Sequence, residues 1–125
     1  MTRKILIVDD EAYIRQLIEQ TLEDLEDYDV ELLSTDNGVS ALALIQSEQP
    51  DLVFLDVMMP KMNGFDVCDT VKHELGMTDV YVVMLTAKGQ EFDKMRGDQV
   101  GADIYITKPF DPDELLNIAE NVLGL

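Results

Sequence analysis

Five short apolar runs divide the chain and constrain its fold more than any other feature. They are KILIV (4–8), VELLS (30–34), LVFLD (52–56), VYVVML (80–85) and DIYIT (103–107). Four of these runs are nearly continuous or rich in β-branched residues, as strands buried on both faces should be. The run at 30–34 is flanked by acidic residues and indicates an edge strand. The runs therefore predict five short strands, four of them largely buried.

Segments with helical spacing of apolar residues separate these strands. The clear ones cover 14–25, 41–45, 65–75 and 111–123. The last begins with the clearest start signal, because Asp111 can cap the helix and Pro112 suits its first position. Residues 89–99 predict a weaker fourth helix, since they are mostly polar and Gly97 interrupts them. The chain is thus read as five strands that alternate with five helices.

Strict alternation of strands and helices, with connections too long for hairpins, predicts a parallel sheet with helices on both faces. Right-handed crossovers leave few strand orders for five such units. The leading one is 2-1-3-4-5, the flavodoxin-like doubly wound (βα)5 fold of the α/β class. At 125 residues, with no linker or repeat, the sequence predicts a single domain over 1–125.

The acidic composition narrows the range of partners. The formal net charge is -17, from 26 acidic and 9 basic residues. Such a field repels phosphate backbones and anionic lipids, so we expect no direct binding to nucleic acid or to a membrane. No apolar run approaches the roughly 18 residues that a membrane span needs. Cys68 is the single cysteine and the chain opens without a signal-peptide pattern, which predicts a cytoplasmic protein.

Polar residues stand where the predicted strands end. In an open α/β sheet, ligands bind outside the carboxyl ends of the strands, where the winding order reverses. With the order 2-1-3-4-5, this point lies between strands 1 and 3. The residues at the strand ends are Asp9, Asp10, Asp56, Thr86 and Lys108. We expect these five side chains to converge at one edge of the sheet.

Three carboxylates in one place repel one another unless a cation lies among them. Hard oxygen ligands with room for water suit Mg²⁺. We assign Asp10 and Asp56 as direct ligands and Asp9 as a ligand through water. A lysine and a threonine beside such an ion can stabilise a phosphoryl group, and a carboxylate can itself be the nucleophile. Asp56 is the central candidate, because strand 3 lies in the middle of the predicted sheet.

The segments ILIVDDE, LVFLDVMMPKMNGFD, VVMLTA and GADIYITKPF resemble the receiver domain of two-component response regulators. The resemblance covers essentially the whole chain in the same order. It implies that Asp56 accepts a phosphoryl group from a phosphohistidine of a sensor histidine kinase or phosphotransfer protein, with Mg²⁺ as cofactor. Asp9 and Asp10 would be the acidic pair, and the backbone carbonyl of Met58 a further metal ligand. Lys108 would bond the phosphoryl oxygens, followed by a cis peptide to Pro109.

The same resemblance implies a conformational switch. Thr86 would turn its hydroxyl towards the phosphoryl group, and Tyr105 would move from an exposed to a buried position. The surface that changes would be helix 4, strand 5 and helix 5, which would contact a downstream effector or output domain and could pair two copies as a homodimer. Such a domain assists its own phosphorylation and dephosphorylation, and we expect no turnover of an external substrate.

Three alternatives remain open from sequence. A phosphatase of the haloacid dehalogenase type also uses a strand-end aspartate as its nucleophile. In such enzymes that aspartate stands in an Asp-x-Asp motif, whereas this chain has Asp56-Val57-Met58. A flavodoxin-like cofactor carrier needs an electropositive phosphate-binding loop after strand 1, where VDDEAYIRQ is acidic. A pseudo-receiver that binds partners without phosphorylation usually lacks one or more of the site residues that are present here.

Overall fold

The computed structural model describes residues 2–87 and 99–125. Its five strands form one sheet in which every pairing is parallel. They are β1 (Arg3–Val8), β2 (Val30–Thr35), β3 (Leu52–Asp56), β4 (Tyr81–Ala87) and β5 (Ile104–Lys108). The strand order is β2-β1-β3-β4-β5, which confirms the predicted flavodoxin-like order and places the predicted edge strand, β2, at one end of the sheet. β5 forms the other edge and only its Ile106 is buried, so the prediction of a largely buried strand there was wrong.

Helices connect the strands. They are α1 (Ala12–Leu22), α2 (Gly38–Glu48), α3 (Gly64–Asp69) and the C-terminal helix (Pro112–Leu123). A 3-10 segment, Glu23–Tyr28, follows α1, and α3 continues as a π-helical turn over Thr70–Glu74. The predicted helix at 89–99 lies outside the described residues, except for a helical end at 99–100. No helix in the described ranges is long and apolar enough to cross a membrane.

Side-chain caps fix where three of these helices begin. Asn37 accepts a hydrogen bond from the Ser40 N–H at 2.8 Å before α2. Asn63 accepts one from the Asp66 N–H at 2.9 Å before α3. Asp111 caps the C-terminal helix, as predicted, through the Asp113 N–H. Such bonds satisfy backbone donors that have no partner within the helix.

Two apolar cores lie on the two faces of the sheet, because successive strand residues point to opposite sides. The α1-side core joins Ile5, Ile7 and their counterparts on the other strands to α1 and the C-terminal helix. The α2-side core joins Leu6, Val8 and their counterparts to α2 and α3, and it includes the buried Cys68. The sheet is therefore covered on both faces, which leaves its carboxyl edge as the place for polar groups.

Candidate functional site

The strand ends bring the predicted acidic residues together. Asp9 directly follows β1, with Asp10 next to it, and Asp56 is the last residue of β3. One carboxylate oxygen from each of the three lies within 4.8 Å of the others. The Lys108 Nζ donates to Asp9 Oδ2 at 2.8 Å and to Asp56 Oδ1 at 3.1 Å. Four of the five predicted side chains thus meet in one cluster at this edge.

Thr86 and Lys108 were predicted to follow their strands, and here the prediction was wrong by a residue or two. Both lie inside the ladder, because the pairing of β4 with β5 extends to the last residues of both strands. Thr86 is buried and directly follows Leu85, which is the register partner of Asp56. Tyr105 is the register partner of Met84, is half-buried and packs against the α2-side core. Tyr105 is therefore placed away from the carboxylates, on the other face of the sheet.

The two members of the acidic pair have different surroundings. Asp9 is fully buried, and its Oδ1 accepts a hydrogen bond from the Glu11 N–H at 2.9 Å while its Oδ2 faces Lys108. Asp10 is exposed and lines an open cavity of about 280 Å³. Asp9 is thus held by the protein on both oxygens, whereas Asp10 faces solvent.

Burial, together with the charge of Asp9, raises the pKa of Asp56 to about 7, although Lys108 acts to lower it. The acid is only 5% exposed, so water solvates its charge poorly. Burial acts to lower the pKa of Lys108, but its bonds and charge contacts with Asp9 and Asp56 outweigh this effect and raise it. Lys108 is therefore positively charged at neutral pH, and it stabilises only part of the negative charge around it.

This set of groups fits a hard divalent cation. Three carboxylates converge, one of them destabilised in its charged form, and the cavity beside them is open. The lining of that cavity is Asp10, Glu11, Asp56, Val57, Met58, Leu85 and Lys108. Mg²⁺ takes one or two carboxylates directly and fills its other positions with carbonyl oxygens, water or phosphate. A larger cavity of about 480 Å³ lies beside α1 and β2 and is lined by Glu19, Gln20, Glu23, Glu26 and Leu32, away from this set.

A close backbone contact shapes the loop that follows Asp56. The Gly64 N–H donates to the Val57 carbonyl at 2.9 Å, so the start of α3 lies against the end of β3. A Cβ atom at position 64 would stand 2.3 Å from the Asp56 carbonyl oxygen. Only glycine can occupy this position without displacing main-chain atoms. The loop carrying Met58 is thus fixed at its far end by Gly64.

We expect Gly64→Ala to destabilise the protein by about 2 kcal/mol, because the added methyl group meets rigid backbone. Gly76→Ala is the matched control, since a Cβ there meets nothing within 4 Å and only the positive φ of 65° opposes it. Urea unfolding followed by circular dichroism measures both. A loss for Gly64→Ala no larger than that for Gly76→Ala would contradict this account.

Sequence reasoning missed two cationic side chains. Arg15 donates from Nη1 to the Asp9 carbonyl at 2.7 Å, and no local pattern announces this contact. Lys72 is only 8% exposed, and its Nζ donates to the Val80 carbonyl at 2.5 Å and to Asp103 Oδ2 at 2.9 Å. A signal for Lys72 did exist, because it stands four residues after Cys68 on the apolar stripe of the third predicted helix.

The Lys108–Pro109 peptide is cis, as the resemblance implies.

Comparisons of sequence identify the relatives of this chain. The family described as response regulator receiver domain matches residues 5–120. The alkaline phosphatase synthesis transcriptional regulatory protein PhoP of Bacillus subtilis is 45% identical over 115 residues, which cover 92% of this chain. The DNA-binding dual master transcriptional regulator RpaA of Synechocystis is 44% identical over 113 residues, or 90% of this chain. The chain spans 46% of the length of each of these two relatives.

The comparison with solved structures agrees. The chemotaxis response regulator CheY4 of Vibrio cholerae matches with a TM-score of 0.84 and 34% sequence identity, over 98% of this chain and 99% of the other. The match thus covers the sheet, both helical layers and the strand ends that carry the acidic cluster. The family match, the sequence relatives and the shared fold all point the same way. The chain belongs to the response regulator receiver domain family of two-component systems.

Proposed function

We propose that Asp56 accepts a phosphoryl group from a phosphohistidine of a sensor histidine kinase or phosphotransfer protein. The observation that carries this proposal is the Asp56 carboxylate at the end of β3, beside an open cavity, with Lys108 Nζ at 3.1 Å. A carboxylate oxygen of Asp56 attacks phosphorus in line, the P–N bond to the imidazole breaks, and its electron pair stays on the histidine. The product is an acyl phosphate on Asp56.

We further propose that this reaction depends on Mg²⁺. Asp10 and Asp56 would hold the ion directly, Asp9 would hold it through water, and the Met58 carbonyl would be a further ligand. The exposure of Asp10 and the full burial of Asp9 support this division between direct and water-mediated contacts. When bound, the ion supplies positive charge that offsets the carboxylates and the phosphoryl oxygens. Asp9 already accepts hydrogen bonds from Lys108 Nζ and from the Glu11 N–H, and from its buried position it would orient the other ligands of the ion.

Lys108 and Thr86 would stabilise the phosphorylated state. The ammonium group of Lys108 has three donors and already spans Asp9 and Asp56, so a phosphoryl oxygen on Asp56 lies within its reach. The buried Thr86, one residue past the partner of Asp56, would turn its hydroxyl to the same group. Tyr105 would respond on the other face of the sheet. The responding surface would consist of the predicted helix 4, β5 and the C-terminal helix. Residues 89–98 of that predicted helix lie outside the described residues.

The scope of the function is also a proposal. The relatives PhoP and RpaA are described as transcriptional regulators, and this chain spans less than half of each. We propose that this chain, as a single cytoplasmic receiver domain over 1–125, passes its state to a downstream effector or output domain and can form a homodimer through the responding surface. Met58 stands where a haloacid dehalogenase-type phosphatase has its second acid, which supports the absence of turnover on external substrates.

The experiment that tests this function is intact-protein mass spectrometry after incubation with acetyl phosphate. Wild type should gain one phosphoryl group with Mg²⁺ and none after chelation. Asp56→Asn should gain none under either condition, whereas Asp79→Asn, which removes an exposed carboxylate elsewhere, should behave as wild type. A gain that survives Asp56→Asn would disprove the acceptor assignment. A wild type that never gains the group would instead favour a pseudo-receiver.

A further inference from the structure

Arg15 makes a contact at the acidic cluster that the proposed chemistry does not use. It lies in the first turns of α1, and its Nη1 donates to the main-chain carbonyl of Asp9 at 2.7 Å. The other polar atoms of Asp9 are also bonded. They contact the Thr35 carbonyl through N at 3.3 Å, the Glu11 N–H through Oδ1 at 2.9 Å and Lys108 Nζ through Oδ2 at 2.8 Å. All four polar atoms of this buried acid therefore have a partner, and Arg15 supplies the one for the carbonyl.

The carbonyl of Asp9 has special importance for its neighbour. It belongs to the peptide group that joins Asp9 to Asp10, and a peptide group is planar. Fixing its oxygen fixes the plane in which the Asp10 nitrogen and Cα lie. Asp9 is fully buried and stands just beyond the last residue of β1. A carbonyl left without a donor in such a place would be costly, and the peptide would turn to find one.

We propose that Arg15 is a positioning residue for the divalent cation. By holding the Asp9 carbonyl, its guanidinium orients the Asp9–Asp10 peptide and so aims both carboxylates at the ion. The inference rests on the proposed function, because it assumes the Mg²⁺ site at Asp9, Asp10 and Asp56. A guanidinium suits this role, since it stays charged and presents its donors in a rigid plane.

Charge and position predict opposite results when Arg15 is removed. The guanidinium carries a positive charge beside the main chain of the acidic cluster, which opposes the binding of a second cation. If charge were its main contribution, Arg15→Ala would leave the site more negative and Mg²⁺ would bind more tightly. If Arg15 positions the acidic pair, the same change loosens the loop and Mg²⁺ binds more weakly. The sign of the change in affinity therefore separates the two roles.

The test is a titration of the whole chain with MgCl₂, followed by amide chemical shifts in two-dimensional NMR spectra. Arg15→Ala should weaken Mg²⁺ binding about tenfold, which is typical when an outer-shell partner of a metal ligand is removed. Arg15→Lys, which keeps a charged donor, should fall between wild type and Arg15→Ala. Arg3→Ala is the matched control, because Arg3 donates in the same manner to the Leu123 carbonyl. It should bind Mg²⁺ as wild type does.

Arg15→Gln is a further variant for this titration, which removes the charge and keeps a shorter side chain with an amide donor. It should also weaken binding, whereas a charge effect would strengthen it. If Arg15→Ala does not fold, the Lys and Gln variants carry the comparison. Unchanged or tighter binding in the folded Arg15 variants, with wild type binding Mg²⁺, would overturn this inference alone. A wild type that binds no Mg²⁺ would overturn the proposed metal site and this inference with it.

Discussion

Asp56→Asn should stabilise the metal-free protein at pH 8 and leave its stability nearly unchanged at pH 4. The pKa of Asp56 is raised from 3.8 to about 7 by burial and by the charge of Asp9. Three pKa units correspond to up to about 4 kcal/mol of unfolding free energy. We therefore expect a gain of this order above pH 7, where the folded protein must hold a buried negative charge that asparagine does not carry.

The sign follows from proton linkage. Because the folded pKa of Asp56 lies above the unfolded one, the folded state binds the proton more tightly. The stability contributed by the protonated acid is fully present below pH 3.8 and is lost as the pH rises through 7. The loss amounts to about 1.4 kcal/mol per pH unit between these values. The benefit of Asp56→Asn should grow over the same window and level off above it.

Urea unfolding at a series of pH values, in the presence of a chelator, measures this effect. Asp79→Asn makes the same change in net charge at an exposed position and should show no comparable trend. The difference between the two variants removes the contribution of the other acids. Adding Mg²⁺ should then stabilise wild type more than Asp56→Asn, because the variant lacks one carboxylate ligand. A benefit independent of pH would contradict the role given to the Asp56 charge.

Lys72→Met should destabilise the protein by about 3 kcal/mol, because the buried Lys72 ammonium donates to a main-chain carbonyl and to the partly exposed Asp103 carboxylate. Lys72 lies in the π-helical turn after α3, and its Nζ bonds Asp103 Oδ2 at 2.9 Å and the Val80 carbonyl at 2.5 Å. Asp103 Oδ2 also accepts from the Val82 N–H at 2.8 Å. Methionine fills a similar volume but leaves this carboxylate and this carbonyl without their cation.

Lys4→Met is the matched control, because Lys4 forms an ion pair with Glu48 at 3.4 Å in which both side chains are partly exposed. Exposed pairs of this kind contribute about 0.5 kcal/mol. Chemical denaturation of both variants, monitored by circular dichroism, compares them directly. Similar losses for the two lysines would show that burial of Lys72 does not make its ion pair more important.

The fold was accessible from sequence because its signals are local. A buried strand between two helices produces a continuous apolar run, and five such runs leave few arrangements of a parallel sheet. The boundaries were less accessible. The apolar stripe of the first predicted helix runs through Leu22 to Leu25, yet α1 ends at Leu22 and Leu25 lies in the 3-10 segment. Residues three apart share a face in both kinds of helix, so periodicity cannot separate them.

The acidic cluster was accessible for a related reason, since parallel strands place their carboxyl ends at one edge and the order brings β1 and β3 together. The contacts of Arg15 and Lys72 were not. Each joins a side chain to a main-chain carbonyl, of Asp9 or of Val80, and any residue type offers such a carbonyl. Sequence therefore gives no hint of the acceptor. Only the folded backbone determines which carbonyl lies within reach of a long cationic side chain.

The alternation of side chains along the strands divides the site between the two faces of the sheet. Continuing the pattern from Ile7 and Phe54, Asp9 and Asp56 share the side of the α1-side core. Thr86 continues the pattern of Met84, on the opposite side, where Tyr105 also packs. The sheet thus acts as a partition between the acid that would be modified and the residues that would respond. In the proposed switch, a change at Asp56 would therefore reach Thr86 and Tyr105 at the carboxyl edge of the sheet, where β3 adjoins β4. This short edge would couple phosphorylation to the responding surface.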